Sequence, residues 1–149
     1  MKSVVQILKS KPDQALYKVP GTTPVSEAAA LMATKNIGSL LVGEGDQVSG
    51  IVTERDIVRK MAASGRSPKE TQVRDIMDTP VHYVHTRHTN EECMALMTDK
   101  RVRHLPVLED DQLIGVISIG DVVKAIIPAK EFIIEQLEGY IRGTPYLPR

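Results

Sequence analysis

The amino-acid sequence predicts an α+β fold: a β-α-β-β-α unit written twice, followed by a separate helix. Shifting the chain by 65 residues lays one half on the other without a gap from about Glu27 to Lys124. Between 27–58 and 92–123, thirteen of 32 positions are identical, including Leu31 with Leu96, Gly50 with Gly115 and Asp56 with Asp121. Within each copy the apolar residues switch between helical and strand spacing. A chain of 149 residues with 42% hydrophobic content can bury a core.

Each copy opens on a short apolar lead-in. Val4-Val5-Gln6-Ile7-Leu8 resembles Val73-Arg74-Asp75-Ile76-Met77 at an offset of 69, so the first copy carries about four extra residues around Lys11-Pro12-Asp13-Gln14. Pro and Asp favour a turn there. A strand follows, read in the second copy as Val81-His82-Tyr83-Val84-His85. Thr89-Asn90-Glu91-Glu92 has capping-box spacing, and Pro24 takes the matching place in the first copy, where its fixed φ suits a first helical turn. Along the helices, Ala28, Leu31 and Met32, or Cys93, Leu96 and Met97, form a buried stripe.

Two hairpins with acidic turns come next. Ser39–Gly43 and Val48–Val52 are joined through Glu44-Gly45-Asp46-Gln47, and His104–Leu108 and Leu113–Ile117 through Glu109-Asp110-Asp111-Gln112. A helix closes each copy. The polar stretch Ala63–Lys69 marks the boundary, giving repeats at 1–66 and 67–128 and a C-terminal helix and tail at 129–149. Repeats of roughly 60 residues are marginal alone, which predicts that the two pack together. In the last segment Phe132, Ile133, Gln136, Leu137, Tyr140 and Ile141 share one helix face. That face can cover its own chain or extend a homodimer interface, and a homodimer is the expectation.

Composition removes several function classes. The 19 basic and 19 acidic residues balance, so no field of one sign draws the chain to nucleic acid or an anionic membrane. Aromatics make up 3%, too few for a base-stacking platform. No apolar run approaches the roughly 20 residues of a spanning helix, and the N-terminal residues lack a signal-peptide core. With a single cysteine, Cys93, the expectation is a cytoplasmic protein without a disulfide framework. His82, His85 and His88 lie near Cys93, but residues three apart on a strand point to opposite faces, so no metal site is expected. Cys93 on an apolar helix stripe reads as core, and no partnered acid–base set emerges, so no enzyme is expected.

The informative feature is the strand-to-helix junction, present twice: Gly50-Ile51-Val52-Thr53-Glu54-Arg55-Asp56 and Gly115-Val116-Ile117-Ser118-Ile119-Gly120-Asp121. Two readings are open. A helix N-terminus with a hydroxyl and a carboxylate can hold a phosphate and a ribose, and the same spacing is a capping box that needs no ligand. Phosphate also needs cations. The second copy supplies Arg101-Val102-Arg103-His104 before its strand where the first has Asn36-Ile37-Gly38-Ser39, while Arg55 sits inside the first junction and Gly120 replaces it in the second. Gly120 allows either a close backbone approach by a ligand or a cap adjustment.

With these residues the chain resembles the CBS (cystathionine beta-synthase) domain family over nearly its whole length, ending near Pro128. The resemblance implies two repeats about a pseudo-twofold axis, a Bateman-type module, with two clefts between them. Such clefts take AMP, ADP or ATP as a regulatory ligand, and in some members NAD or S-adenosylmethionine. It further implies that Asp56 and Asp121 hold ribose hydroxyls and that Thr53 and Ser118 contact ribose or phosphate. Apolar and backbone groups near Val19, Ile37, Pro80, Val81 and Val102 would enclose adenine. Arg55, Lys18, Arg103 and His104 are the candidate phosphate contacts, with Gly120 at the second helix start. The expected function is a regulatory, signal-transducing nucleotide sensor. The competing expectation is an interaction module whose junctions only cap helices.

Overall fold

The computed structural model describes residues 2–11, 15–126 and 137–139. The first repeat contains β1 (Lys18–Val19), α2 (Val25–Lys35), β2 (Ser39–Val42), β3 (Gly50–Thr53) and α3 (Glu54–Asp56), preceded by α1 (Val4–Lys9). A 3-10 turn, Val73–Asp75, leads into β4 (Val84–His85), α4 (Asn90–Lys100), β5 (His104–Glu109), β6 (Gln112–Ser118) and α5 (Ile119–Ile126). Each repeat forms a three-stranded sheet in sequence order, its first pair parallel and its second antiparallel. The copies match in register: Ser39 lies opposite Thr53, and His104 opposite Ser118.

Local chemistry sets the element ends. Thr89 caps α4 in the expected box, its hydroxyl accepting from the Glu92 N–H at 3.2 Å while Glu92 accepts from the Thr89 N–H. Pro24 caps α2 by conformation alone. Both helices stop at a left-handed residue, Asn36 (φ 53°) and Arg101 (φ 56°), a conformation Asn tolerates better than Arg. In the second hairpin Asp110 and Asp111 take φ of 50° and 63°, as a two-residue turn of type I′ requires.

Three expectations change in detail. The first hairpin opens into a loop, and its return strand starts at Gly50 rather than Val48; Ser49 N–H donates to Val42 O at 2.7 Å across the loop's base, and a Glu44–Gln47 turn fills the loop. The strand read over 81–85 is reduced to Val84–His85, the residues that pair with Val107 and Leu108. The first closing helix is α3 running on as a π-helical segment, Ile57–Ala62, marked by the Ala63 N–H bond to Val58 O. The helix expected after Pro128 falls outside the described residues apart from 137–139, which are helical.

Two cores form, and each takes its lead-in from the other copy. Val73 and Ile76 join Val25, Met32, Leu40 and Val52 in the first, whereas Val4 and Ile7 join Cys93, Met97, Leu105 and Ile117 in the second. The backbone repeats the exchange at matching positions. Val73 N–H donates to Thr23 O and Val25 N–H to Thr71 O; Val4 N–H donates to His88 O and Asn90 N–H to Lys2 O. Gly50 and Gly115 make the close approach possible. A Cβ at Gly50 would come within 2.6 Å of Met77 Sδ and 3.0 Å of Asp78 O, and one at Gly115 within 2.7 Å of Leu8 Cδ2. The exchange is the structural expression of the pseudo-twofold relation between the repeats.

Candidate functional site

Two clefts lie where the repeats meet, and each joins a junction from one copy to the pre-strand segment of the other. The larger, of about 790 Å³, has Ser118 and Asp121 from the second junction facing Asn36, Ile37 and Gly38 of the first repeat. Tyr17, Ser39, Glu109 and the lysines Lys9, Lys11, Lys35 and Lys124 add further polar groups to its lining. The smaller, of about 360 Å³, has Thr53, Arg55 and Asp56 from the first junction facing Arg101, Val102 and Arg103 of the second. Gly38 and His104 line both.

The junctions are capping boxes in both copies. Thr53 N–H and Oγ1 donate to Asp56 Oδ2 at 3.0 and 3.1 Å, and Asp56 N–H donates back to Thr53 Oγ1 at 3.2 Å. Ser118 N–H donates to Asp121 Oδ2 at 2.8 Å and Asp121 N–H to Ser118 Oγ at 3.2 Å. The short spacing brings hydroxyl, carboxylate and helix N-terminus to one cleft wall, so the atoms that cap the helix also line the cleft.

Each carboxylate also has a lysine, from a different source. Lys60 Nζ, one turn along from Asp56, lies 3.3 Å from Asp56 Oδ1 and 3.1 Å from Asp78 Oδ1, and donates to Ile76 O at 2.8 Å. Burial holds the Asp56 carboxyl above its ordinary range, with Asp78 adding to the effect and the Thr53 backbone bond and Lys60 opposing it. Lys11 reaches into the larger cleft, 3.1 Å from Asp121 Oδ2, and donates to Val116 O at 2.7 Å. Asp56 is nearly fully buried, whereas the Asp121 side chain is 18% exposed. The second carboxylate is the more accessible to a ligand.

His104 stands at the centre. Its Nδ1 is buried without a hydrogen-bond partner among the described residues. Burial pushes the imidazole below its ordinary range, Lys11 and Arg103 push the same way, and Asp121 opposes them.

The structure brings together residues the sequence left separate. Arg55 and the Arg103-His104 pair looked like features of different clefts, and the crossed geometry puts them in one. Ile37 faces the larger cleft and Val102 the smaller. Lys18, Val19, Pro80, Val81 and Gly120 line neither: Val19 packs into the first core, Lys18 extends along β1, and Pro80 is exposed after the cis Thr79–Pro80 bond. A Cβ at Gly120 would meet only Ser118 Oγ, at 3.6 Å, so no close approach requires glycine there. Sequence reasoning missed Tyr17, Lys11, Arg59 and Lys60. Lys60 was detectable four residues after Asp56, and Lys11 lies in the extra residues of the first copy.

The CBS domain family matches this chain twice, over residues 7–63 and 73–128. A CBS domain-containing protein of Arabidopsis thaliana, CBSX3, named as mitochondrial, is 40% identical over 124 residues, 80% of this chain. The chain spans 60% of that relative's length. A solved structure of a protein with CBS domains from Burkholderia ambifaria is 52% identical, with a TM-score of 0.82 over 85% of this chain and 95% of that one. A hexameric CBS-CP12 protein from bloom-forming cyanobacteria is 33% identical, with a TM-score of 0.73 over 83% of this chain and 70% of that one. With both repeats matched and the fold shared along their length, the chain belongs to the CBS-domain family as a tandem pair of CBS domains.

Proposed function

We propose that this CBS pair is a regulatory module that binds an adenine nucleotide in the larger cleft, AMP foremost, with ADP, ATP and NAD as related candidates. A signalling role is supported by the Burkholderia ambifaria relative, described as a signal-transduction protein with CBS domains, and the absence of catalysis is part of the proposal. The observation that carries the nucleotide reading is the larger cleft itself. It sets the accessible carboxylate of Asp121 and the hydroxyl of Ser118 against the Ile37–Gly38 backbone, with Tyr17 as an aromatic wall and Lys11, Lys35 and Lys124 as phosphate partners. A ribose needs the first pair, a base the second surface and a phosphate the cations. The smaller cleft has Arg55, Arg59, Arg101 and Arg103 around a carboxylate already held by Thr53 and Lys60, and so favours anionic groups over a ribose.

Calorimetry with AMP, ADP, ATP, NAD and S-adenosylmethionine tests this. We expect AMP binding in wild type and loss of at least tenfold in affinity in Asp121→Ala, with Asp56→Ala affecting it less. Absence of heat with all five ligands at millimolar concentration would sink the nucleotide reading. The second reading, a protein-interaction or dimerisation module with vestigial clefts, is favoured by one observation: the protein's own atoms complete the capping box at both junctions. A regulated protein partner fits either reading, and co-purification from the source organism would identify it.

The module also reads as a homodimer. Val58 and Val123, at matching positions of the two closing helices, are exposed, as are Ile119 and Ile126. An exposed apolar surface on the closing helices, with Val58 and Val123 at matching positions, suits an isologous contact with a second copy. Among the described residues no helix is long and apolar enough to cross a membrane, and cytoplasmic residence is part of the proposal.

A further inference from the structure

The four arginines of the smaller cleft come from two places in the chain. Arg55 and Arg59 stand one turn apart on the closing segment of the first repeat, whereas Arg101 and Arg103 flank Val102 just before β5 of the second. None has an arginine as its counterpart: the 65-residue offset sets Gly120, Lys124, Asn36 and Gly38 against them. Because the copies cross, four separate departures from the repeat meet in one cleft. Among the described residues no arginine lines the larger cleft, whose cationic side chains are lysines.

The fold itself gains little from this cluster. All four arginines are exposed, and among the described residues none of their guanidinium groups is held in an ion pair. Asp56 and Asp78 share Lys60, which leaves Glu54 facing the four arginines. In a chain whose charges balance overall, the cleft holds a local excess of positive charge that repels itself. Arg101 adds a backbone cost. It ends α4 at φ 56°, in the left-handed region, where the first copy has Asn36, a residue that takes this conformation more readily. Charge repulsion and backbone strain gathered at one concave site point to a ligand.

The chemistry of the walls selects its class. A guanidinium presents a planar fork of N–H donors that matches phosphate oxygens, and one phosphate group, with about two charges, is satisfied by one or two such forks. Four forks on facing walls match two or three linked phosphates. A ribose finds little here, since Asp56 is buried, its Oδ2 accepts from the Thr53 N–H and hydroxyl, and its Oδ1 lies 3.3 Å from Lys60 Nζ. At about 360 Å³ the cleft is of small-molecule size.

Resting on the reading of this cleft as an anion site, we infer that it binds a short inorganic polyphosphate, pyrophosphate or triphosphate, with no nucleoside attached. The arginines of both repeats grip one anion, which relieves the repulsion between them and ties the two walls together.

Calorimetric titration of orthophosphate, pyrophosphate, triphosphate and ATP in magnesium-free buffer tests this. The proteins are wild type, Arg101→Asn, Arg103→Gln and, as control, Arg66→Gln, at an exposed arginine outside both clefts. Affinity should rise about tenfold from orthophosphate to triphosphate. For triphosphate it should fall about fivefold or more in Arg101→Asn and in Arg103→Gln, the scale of one charge-assisted hydrogen bond, and hold in Arg66→Gln. Arg101→Asn should melt no lower than wild type, because Asn suits that helix end, so lost binding is told apart from a lost fold. Absence of heat with millimolar triphosphate, or equal affinity in Arg101→Asn, Arg103→Gln and wild type, would overturn the site. Orthophosphate bound as tightly as triphosphate would keep an anion site and overturn the polyphosphate class. ATP bound far more tightly than triphosphate, with that excess lost in Arg103→Gln, would mean that the cleft reads a nucleoside, and would overturn the inference too. The nucleotide reading of the larger cleft stands or falls separately, on AMP.

Discussion

At the scale of single residues, His104 has the sharpest consequences. The neutral imidazole is favoured in the folded protein because burial, Lys11 and Arg103 oppose its protonation more than Asp121 assists it. A base whose folded pKa is depressed contributes stability that is present above its ordinary value of 6.5 and is lost as the pH falls through the folded pKa. Lowering the pH from 7.5 to 5 should therefore weaken the fold more in wild type than in His104→Gln. Urea denaturation at several pH values measures this, and parallel pH profiles for the two proteins would refute it. Cys93 behaves differently. Burial, with help from Glu92, pushes its thiol up to about 11, so it remains a protonated core side chain near neutrality.

At the scale of elements, the exchanged lead-ins explain why a glycine begins each junction motif. Gly50 faces Met77 and the Asp78 carbonyl, whereas Gly115 faces only the end of the Leu8 side chain. Gly50→Ala should cost about 1–3 kcal/mol in chemical denaturation, and Gly115→Ala less, since a terminal methyl moves more easily than backbone. Equal losses would contradict this packing account. The elements themselves were largely legible, because capping boxes, turn residues and apolar spacing act within a few positions. Thr89 with Glu92 and the Asp110-Asp111 turn are examples. The π-helical run at Ile57–Ala62 was not legible, since its spacing is close to that of an α-helix and the two differ only in hydrogen-bond offset. Nor was the exchange: similarity between Val4–Leu8 and Val73–Met77 reveals a repeated segment but not which core receives it.

At the scale of the whole molecule, the repeat predicts that matching surfaces recur, and Val58 and Val123 show it, 62% and 39% exposed. The proposed homodimer predicts that Val58→Asp combined with Val123→Asp shifts the mass in light scattering from dimer to monomer, and a wild-type mass already equal to one chain would exclude it. The candidate site was half legible for the same topological reason. Thr53, Asp56, Ser118 and Asp121 follow from local motifs, but pairing each with the opposite copy's pre-strand segment requires knowing how the halves face one another. The crossed lead-ins also bear on the order in which the chain can finish folding. On the ribosome, Val4 and Ile7 emerge well before Val84, Leu105, Ile117 and Val122, among which they sit. The first core likewise waits for Val73 and Ile76. Neither half closes from its own residues alone, so completion depends on contacts far apart along the chain, and this topology slows folding and makes it cooperative across both halves.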